Sequence, residues 1–375
     1  VKSYLEKELE NWGNLAVDGH FHGEDAWYHI RKKSKPALSE LFGAHEHEVV
    51  AMNNLSVNLH LLMVSFYRPT KSRNKIIIEA GAFPSDQYML ESQVKFHGLN
   101  PAEVIVELKP REGEHTLRTE DILAEIKKQG DSLSLVNMAG LQYYTGQLFD
   151  MKAISQAAHS VGAFAGFDLA HAAGNIPLKL HDWEVDFATW CSYKYLNSGP
   201  GNVSGIYVHE KYAESPDLPR FAGWWGHDEG QRFLMEKGFI PMHGADGWQL
   251  ANSNVLALAA HQASLDIFQE AGIENLRKKS FLLTGYLEFL IKKISGESGV
   301  LEIITPENQL ERGCQLSLHI HRGGKAVFDE WYKHGVVGDW RNPNVIRLAP
   351  TPLYNSFEDV FRFAQILEQS IEKFA

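Results

Sequence analysis

Two apolar runs that each end in a polar turn decide the fold: residues 164–168 read FAGFD, and residues 187–194 read FATWCSYK. Asp168 ends the first run, and Lys194 follows shortly after the second. Short apolar runs bounded by turn residues are typical of buried strands. An Asp and a Lys at the ends of two successive strands predict a binding site, because parallel sheets bind ligands outside the carboxyl ends of their strands.

The pair of Asp168 and Lys194 suits pyridoxal phosphate (PLP). A lysine amine can hold the aldehyde as a Schiff base, and a carboxylate can keep the pyridine nitrogen protonated so that the ring accepts electrons. Taken alone, the pair is equally compatible with a surface lysine and an aspartate that cap turns. The rest of the chain has to decide between the two interpretations.

Outside these runs the first half of the chain alternates between β-rich and amphipathic segments, after a largely helical stretch over residues 1–50. Continuous apolar strands separated by helices indicate a parallel sheet covered on both faces. Further strands are predicted at residues 76–78, 104–106 and 133–136, and helices at residues 85–98, 118–130 and 151–162.

The second half changes character. Helical periodicity over residues 255–268 and 273–294 is followed by short strands at 315–319 and 345–348 and by a last helix with Ser356 as its N-cap. We therefore predict an N-terminal helical segment (1–45), a large PLP-binding domain (46–269) and a small C-terminal domain (270–375). Because the chain begins with Val1, we also expect that a leading segment has been removed or is not covered.

The composition narrows the possible partners and the compartment. The chain has 375 residues, of which 44% are hydrophobic and 22% charged, as in ordinary globular proteins. Its net charge of −11 argues against a nucleic-acid partner, which needs a surplus of Lys and Arg. No apolar run approaches the roughly 18 residues of a membrane helix. With two cysteines and no secretory segment, a cytoplasmic location is predicted.

Several longer motifs occur in an order that resembles one family, kynureninase. They are LSVNLH at 55–60, FPSD at 83–86, KPREG at 109–113, YYTGQ at 143–147, FDLAH at 167–171, SYKYLN at 192–197 and RNPN at 341–344. The resemblance implies a PLP-dependent hydrolase of fold type I, in the class-V branch of the aspartate aminotransferase fold. The expected architecture is α/β: a large, mostly parallel sheet with helices on both faces, and a smaller C-terminal α+β domain. The family's usual N-terminal Gly-Asn-Ser-Leu-Gly segment is absent.

The resemblance also implies which residues bind the cofactor. Lys194 would carry the aldehyde, Asp168 would pair with the pyridinium nitrogen, and Phe83 would stack on the ring. A helix start at Leu55 and Ser56 would bind the phosphate, although an ordinary helix cap is the alternative. The other expected cofactor contacts are Pro84, Ser85, Asp86, Ala139, His171, Tyr193, Trp224 and Asn252. Ala139 stands where relatives can carry Ser, so a contact there has to come from the backbone.

For the substrate, Arg347 is the strongest candidate, because an α-carboxylate needs a planar and permanently charged fork. A solvent-facing arginine is the alternative at this position. His20 resembles the residue that faces the aromatic ring of kynurenine, and Asn252 would contact the same substrate. The resemblance further implies a homodimer in which Trp224 and Asn252 reach the active site across the interface.

The implied reaction is hydrolysis of the Cβ–Cγ bond of L-kynurenine or its 3-hydroxy form, giving anthranilate or 3-hydroxyanthranilate and L-alanine, in tryptophan catabolism and NAD biosynthesis. Lys194, Asp168 and Tyr193 are the expected catalytic residues, with Tyr193 as proton donor. The alternatives are another class-V enzyme, such as an aminotransferase or a cysteine desulfurase using Cys314, and a PLP-fold subunit without catalysis. The His-x-His pairs at 20/22, 45/47 and 319/321 lack a third ligand at zinc-like spacing, so no metal site is predicted.

Overall fold

The computed structural model describes residues 1–23, 26–215, 217–296 and 299–374. The chain divides into two compact units. Unit 1 consists of Val1–Lys109, Thr119–Gly140 and Asp150–Ala271, and unit 2 of Pro110–Arg118, Leu141–Phe149 and Gly272–Ala375. Unit 2 therefore includes two segments from the middle of the chain. The domain boundaries predicted at 45/46 and 269/270 remain predictions.

Unit 1 is built on a seven-stranded sheet within the described residues, in the order β1-β7-β6-β5-β4-β2-β3. The five strands from β3 to β6 in that order run parallel, whereas β7 is antiparallel to both β6 and β1. The strands are β1 (Val49–Ala51), β2 (Lys75–Glu79), β3 (Ile105–Leu108), β4 (Leu133–Ala139), β5 (Phe164–Asp168), β6 (Phe187–Cys191) and β7 (Ser204–Val208).

The α-helices of unit 1 alternate with the strands through the parallel part of the sheet. Helix α4 packs against β6 and β7, and helix α8 against β4 and β5. The helices are α1 (Lys2–Leu15), α2 (Ile30–Lys33), α3 (Lys35–Phe42), α4 (Leu55–Phe66), α5 (Pro84–Phe96), α6 (Pro101–Val104), α7 (Thr119–Gln129), α8 (Met151–Ser160) and α9 (Val255–Ala271).

The burial of the central strands explains why they read as continuous apolar runs. Every residue of β6 and β7 is buried, and in β5 only Phe164 is partly exposed. A strand that faced water on one side would show alternation instead. The predicted bounds of β5 and β6 are confirmed, and the predicted helices α5, α7 and α8 lie within two residues of the observed ends.

Strands β1 and β7 were not predicted. Residues 1–50 were expected to be helical, yet Val49 begins β1, which pairs with β7 at the edge of the sheet. The short run of β7 includes Gly205, which the sequence pattern alone does not favour in a strand. A Cβ at this position would lie 2.2 Å from the ring of Trp190, so a glycine is required by the close approach of β6.

Unit 2 contains an antiparallel sheet in the order β10-β11-β9-β8, with a core formed by its inner face and helices. The predicted N-cap of the last helix is confirmed, because the backbone N–H of Asp359 donates to Ser356 Oγ at 3.1 Å. The strands are β8 (Leu301–Ile303), β9 (Leu316–Ile320), β10 (Asp339–Arg341) and β11 (Val345–Leu348), and the helices are α10 (Ile273–Ser295), α11 (Gly324–Lys333) and α12 (Phe357–Phe374).

None of the helices in the described ranges combines the length and the apolar composition that crossing a membrane requires.

Candidate active site

The turn after β6 brings Lys194 to the start of helix α5. The Lys194 ammonium lies 5.5 Å from the centre of the Phe83 ring, and Phe83 is the N-cap residue of α5. Phe83 is 37% exposed, so one of its faces is accessible to a ligand. The structure thus brings together an amine and an aromatic ring from segments more than a hundred residues apart.

Asp168, the last residue of β5, lies at the same edge of the sheet as Lys194. Its carboxylate accepts a hydrogen bond from the backbone N–H of Ala170 at 2.7 Å. Burial raises the pKa of Asp168, while the nearby Lys194, the Ala170 N–H and a hydrogen bond with Asp86 favour the charged form. Asp168 is therefore a carboxylate that is costly to keep charged and needs a cationic partner.

Asp86, in the first turn of α5, shares a proton with Asp168. Burial and the negative charges of Asp168 and Glu79 raise the pKa of Asp86 well above its ordinary value, and Lys194 opposes this rise. Two carboxyl groups in hydrogen-bonding contact cannot both ionise cheaply. We assign the shared proton to Asp86, because Asp168 has the additional N–H donor from Ala170.

A third buried carboxyl, Glu79, escaped the sequence interpretation. Glu79 is the last residue of β2, and burial raises its pKa to about 8, with the charge of Asp168 adding to the rise. The backbone N–H of Ala139 donates weakly to both Glu79 oxygens, at 3.3 and 3.4 Å. Ala139 is thus used through its backbone, as expected, but towards Glu79. The available signal was an acidic residue that ends a strand of isoleucines at the ligand-binding edge.

These groups define the carboxyl cluster: Glu79, Asp86 and Asp168, with Lys194 beside them. Three buried carboxyl groups face one lysine, so the cluster has room for a further positive charge. A pyridinium nitrogen next to Asp168 would supply that charge, and the Phe83 ring and the Lys194 amine provide the stacking surface and the nucleophile that PLP requires. The donor set therefore fits this cofactor.

Tyr193 lies between the buried strand β6 and the site. Its hydroxyl is hydrogen-bonded to the thiol of Cys191, and this bond together with burial raises the pKa of Tyr193 above its ordinary value. The Cys191 side chain is buried, and burial raises its pKa as well. Tyr193 therefore stays a neutral phenol that can donate a proton, and Cys191 is a packed thiol, as expected.

Helix α4 begins at Leu55, as predicted. Its N-cap residue, Asn54, makes no side-chain cap bond, so the first amides of the helix are not used by that side chain. Leu55 is buried and Ser56 is exposed. Uncapped amides and a hydroxyl at a helix N-terminus are suitable donors for a phosphate.

The remaining predicted contacts in unit 1 lie in different surroundings. His171 packs edge-on against Tyr195, with ring centres 5.9 Å apart. His20 packs edge-on against Trp27 at 5.3 Å, Trp224 packs against Phe233 at 5.7 Å, and Asn252 is exposed in the loop before α9. None of these last three contacts involves the carboxyl cluster, so their predicted roles remain predictions.

Arg347 belongs to unit 2, where it lies on β11 directly opposite Asp339 of β10. Its guanidinium forms an ion pair with Asp339 and donates to the carbonyl oxygen of Tyr143 at 2.7 Å. Arg341 also binds Asp339, at 2.9 Å. The side chain of Arg347 is 11% exposed, which disfavours a purely solvent-facing arginine. Its fork is held in place by protein groups and already binds a carboxylate.

Comparisons with known proteins identify the family. Residues 276–367 match the family model described as the kynureninase C-terminal domain. A protein from Flavobacterium psychrophilum named kynureninase is 58% identical over 372 residues, which cover 99% of this chain and 88% of that protein. The chain belongs to the kynureninase family. A kynureninase from Rattus norvegicus is 50% identical, over 98% of this chain and 80% of its own length.

Solved structures show that kynureninase-family membership and the fold agree. A cysteine desulfurase from Thermococcus onnurineus superposes with a TM-score of 0.78 at 16% identity, covering 99% of this chain and 92% of that one. A C-DES variant with glycine covalently linked to its PLP cofactor superposes equally well, at 17% identity. At such identities the likeness concerns the fold alone. The predicted fold-type I architecture is thereby confirmed.

Proposed function

We propose that this chain is a kynureninase that uses PLP to hydrolyse the Cβ–Cγ bond of L-kynurenine or 3-hydroxy-L-kynurenine. The products are anthranilate or 3-hydroxyanthranilate and L-alanine, so the enzyme acts in tryptophan catabolism and NAD biosynthesis. The observation that carries the proposal is the carboxyl cluster with Lys194 and Phe83, in a chain 50–58% identical to proteins named kynureninase.

Bound PLP supplies an aldehyde that takes up an amine and a ring that accepts electrons. Asp168 holds the proton on the pyridine nitrogen, and Asp86 and Glu79 keep this region anionic enough to favour a cation there. The phosphate is bound at the start of α4 by backbone amides and Ser56. His171 and Ser85 complete the polar surroundings of the cofactor.

The chain's own groups handle the protons of the reaction. The Lys194 amine, once displaced by the substrate amine, removes the α-proton of the substrate. Water then adds to the γ-carbonyl group, and the Cβ–Cγ bond breaks. Tyr193, held as a neutral phenol by the Cys191 contact, donates a proton to the alanyl β-carbon. Proton transfer by a positioned group typically contributes about 10²–10⁴-fold in rate.

Arg347 binds the α-carboxylate of the substrate. Its guanidinium is fixed by Tyr143 and already pairs with the Asp339 carboxylate, so a substrate carboxylate meets a preorganised fork. A charged bidentate pair of this kind fixes both the position and the orientation of the substrate.

A cysteine desulfurase is the alternative suggested by the solved structures of the same fold. That reaction requires a mobile and accessible cysteine. Cys314, the candidate named from the sequence, is 1% exposed and precedes strand β9. A buried thiol at the start of a sheet strand disfavours the alternative.

We also propose that the protein acts in the cytoplasm as a homodimer, with Trp224 and Asn252 of one subunit reaching the site of the other. Both residues are exposed in the single chain. Mixing inactive Lys194→Ala and Trp224→Ala chains should restore some activity, since one hybrid site then has both residues. A monomer in sedimentation, or mixtures that stay inactive, would refute the shared site.

Product analysis tests the proposed reaction directly. Kynurenine, 3-hydroxykynurenine and cysteine are offered separately to the PLP-loaded chain, and anthranilates, alanine and sulfide are quantified. We expect alanine in equimolar amounts with an anthranilate, and no sulfide. Sulfide from cysteine without any anthranilate would replace this proposal by the desulfurase.

We further expect a higher kcat/KM for 3-hydroxykynurenine than for kynurenine. His20 and Asn252 can both hydrogen-bond a phenolic hydroxyl, and a site built for a hydroxyl discriminates against the analogue that lacks it. Replacing Asn252 with Thr should narrow the difference between the two substrates. Equal kcat/KM values in the unmodified enzyme would contradict this specificity.

A further inference from the structure

The sheet of unit 2 brings together two histidines and a glutamate that the sequence left apart. Glu302 on the edge strand β8 lies directly opposite His319 on β9. His321 follows two positions later, and its backbone N–H continues the pairing by donating to Val300 at 2.8 Å. Side chains two apart along a strand point to the same face. The His-x-His pair thus finds its third donor across the strands.

The separations between the donor atoms match those around a metal ion. Glu302 Oε2 lies 3.5 Å from His321 Nε2 and 3.9 Å from His319 Nδ1, and the three donor atoms all lie within 4.8 Å of one another. With bonds of about 2.0–2.1 Å, two ligands of a tetrahedral zinc ion are about 3.3 Å apart. Direct N–H···O hydrogen bonds are shorter, at about 2.7–3.2 Å.

His115 contacts the other oxygen of the same carboxylate. Its Nε2 lies 3.3 Å from Glu302 Oε1. A carboxylate that binds a metal through one oxygen is commonly held by a partner on the other, which fixes its orientation. Three imidazoles therefore surround one carboxylate of unit 2.

A second histidine cluster, in unit 1, has a different geometry. Glu48 is fully buried and accepts hydrogen bonds from His181 Nδ1 at 3.0 Å and from the backbone N–H groups of His45 and Glu210 at 2.8 and 2.7 Å. These are ordinary hydrogen-bond lengths. Glu48 is thus an internal acceptor that ties its neighbours together, and the cluster provides a contrast for the test.

We propose that Glu302, His319 and His321 bind a divalent transition-metal ion, with His115 holding the second carboxylate oxygen. Two imidazoles and one carboxylate favour ions of the Zn²⁺, Ni²⁺ and Cu²⁺ class over Mg²⁺ and Ca²⁺, which prefer all-oxygen sites. The partial exposure of all four side chains leaves a coordination position for water. The bound ion links β8 to β9 and so stabilises the edge of this sheet. The proposal is independent of the proposed reaction.

Calorimetric titration of the PLP-loaded full chain with ZnCl₂ tests this site. We expect one equivalent of zinc to bind, and the His319→Gln/His321→Gln chain to lose that equivalent. His115→Gln should weaken binding by about 10–100-fold, as for other groups that hold a metal ligand. His334→Gln is the matched control in the same unit, because His334 faces only Glu330, at 3.6 Å on helix α11.

A thermal unfolding series provides the second readout. Zinc should raise the unfolding midpoint of the unmodified chain and of His334→Gln, but not that of the double variant or of Glu302→Gln, whose replaced carboxyl is 47% exposed. Zinc binding that survives in the double variant, or that is lost in His45→Gln instead, would overturn the proposal. Absence of any zinc binding to the unmodified chain would overturn it as well.

Discussion

The carboxyl cluster of unit 1 and the Glu302 group of unit 2 solve the same electrostatic problem in opposite ways. Glu79, Asp86 and Asp168 are nearly inaccessible to water, whereas Glu302 is 47% exposed. Burying a carboxylate is costly unless it is protonated or paired with a positive charge. The buried cluster therefore shares protons and draws a cation towards Asp168. The exposed group is solvated, and only the arrangement of its donor atoms matters.

The comparison teaches where electrostatics controls function in this molecule. A buried group acts through its protonation state, so its substitution should change chemistry and pH dependence. An exposed group acts through geometry, so its substitution should leave the proposed reaction unchanged. The following predictions test this difference.

Replacing Lys194 with Ala should have the largest effect and reduce turnover below detection. The variant lacks the amine that binds the aldehyde and removes the α-proton, while the phosphate site at α4 is intact. Kynurenine hydrolysis measured by anthranilate fluorescence checks the loss, and circular dichroism checks the fold. Lys325→Ala, an exposed lysine that pairs with Asp329 four residues on, is the control. Turnover near the unmodified rate would remove Lys194 from the active site.

Asp168→Asn should reduce kcat by much more than a lost hydrogen bond, because an amide cannot hold the pyridine nitrogen protonated. We expect a loss of at least about tenfold, equivalent to about 1.4 kcal/mol. Glu302→Gln, the same type of substitution in the exposed group, should leave kcat unchanged. If the two variants had equal activities, the contrast between buried and exposed carboxylates would be wrong for catalysis.

Arg347→Lys should mainly raise KM for the amino-acid substrate, because an ammonium cannot reproduce the two-point contact with a carboxylate. Steady-state kinetics with both substrates measures the effect. Arg341→Lys is the matched control, since Arg341 binds the same Asp339 carboxylate. A raised KM in Arg341→Lys with no change in Arg347→Lys would transfer the role to Arg341.

Glu79→Gln should change the pH dependence of stability in the cofactor-free chain. The pKa of Glu79 is raised to about 8, so the stabilisation from its neutral form is present at acidic pH and is lost as the pH rises towards 8. Its contribution has a slope of at most about 1.4 kcal/mol per pH unit. Urea unfolding from pH 5 to 8 should show a shallower decline in Glu79→Gln. An identical slope in both chains would mean that Glu79 ionises normally.

The sequence was sufficient for the parts of the molecule that are set by local pattern. The apolar runs at β5 and β6 gave the strand bounds, and their polar ends located Asp168 and Lys194 at one edge of a parallel sheet. The motif resemblance then predicted the family and fold. These features were predictable because strand burial and turn chemistry depend on neighbouring residues.

Features that depend on register across strands could not be predicted in this way. Glu79 joins the cluster only because β2 ends level with β4, and Glu302 meets His319 only because β8 pairs with β9 in that register. Likewise, Gly205 is acceptable in β7 because Trp190 of the neighbouring strand fills the space. Such contacts join distant segments, and their spacing in the sequence carries no signal.

Reductive trapping tests the central claim most directly, namely that Lys194, beside the buried carboxyl cluster, carries the cofactor. The PLP-loaded chain is reduced with borohydride and digested, and the peptides are analysed by mass spectrometry. The account predicts one phosphopyridoxyl group, on the peptide that contains Lys194, and no label there in Lys194→Ala. A phosphopyridoxyl group on a different lysine, or an unlabelled Lys194 in active enzyme, would contradict it.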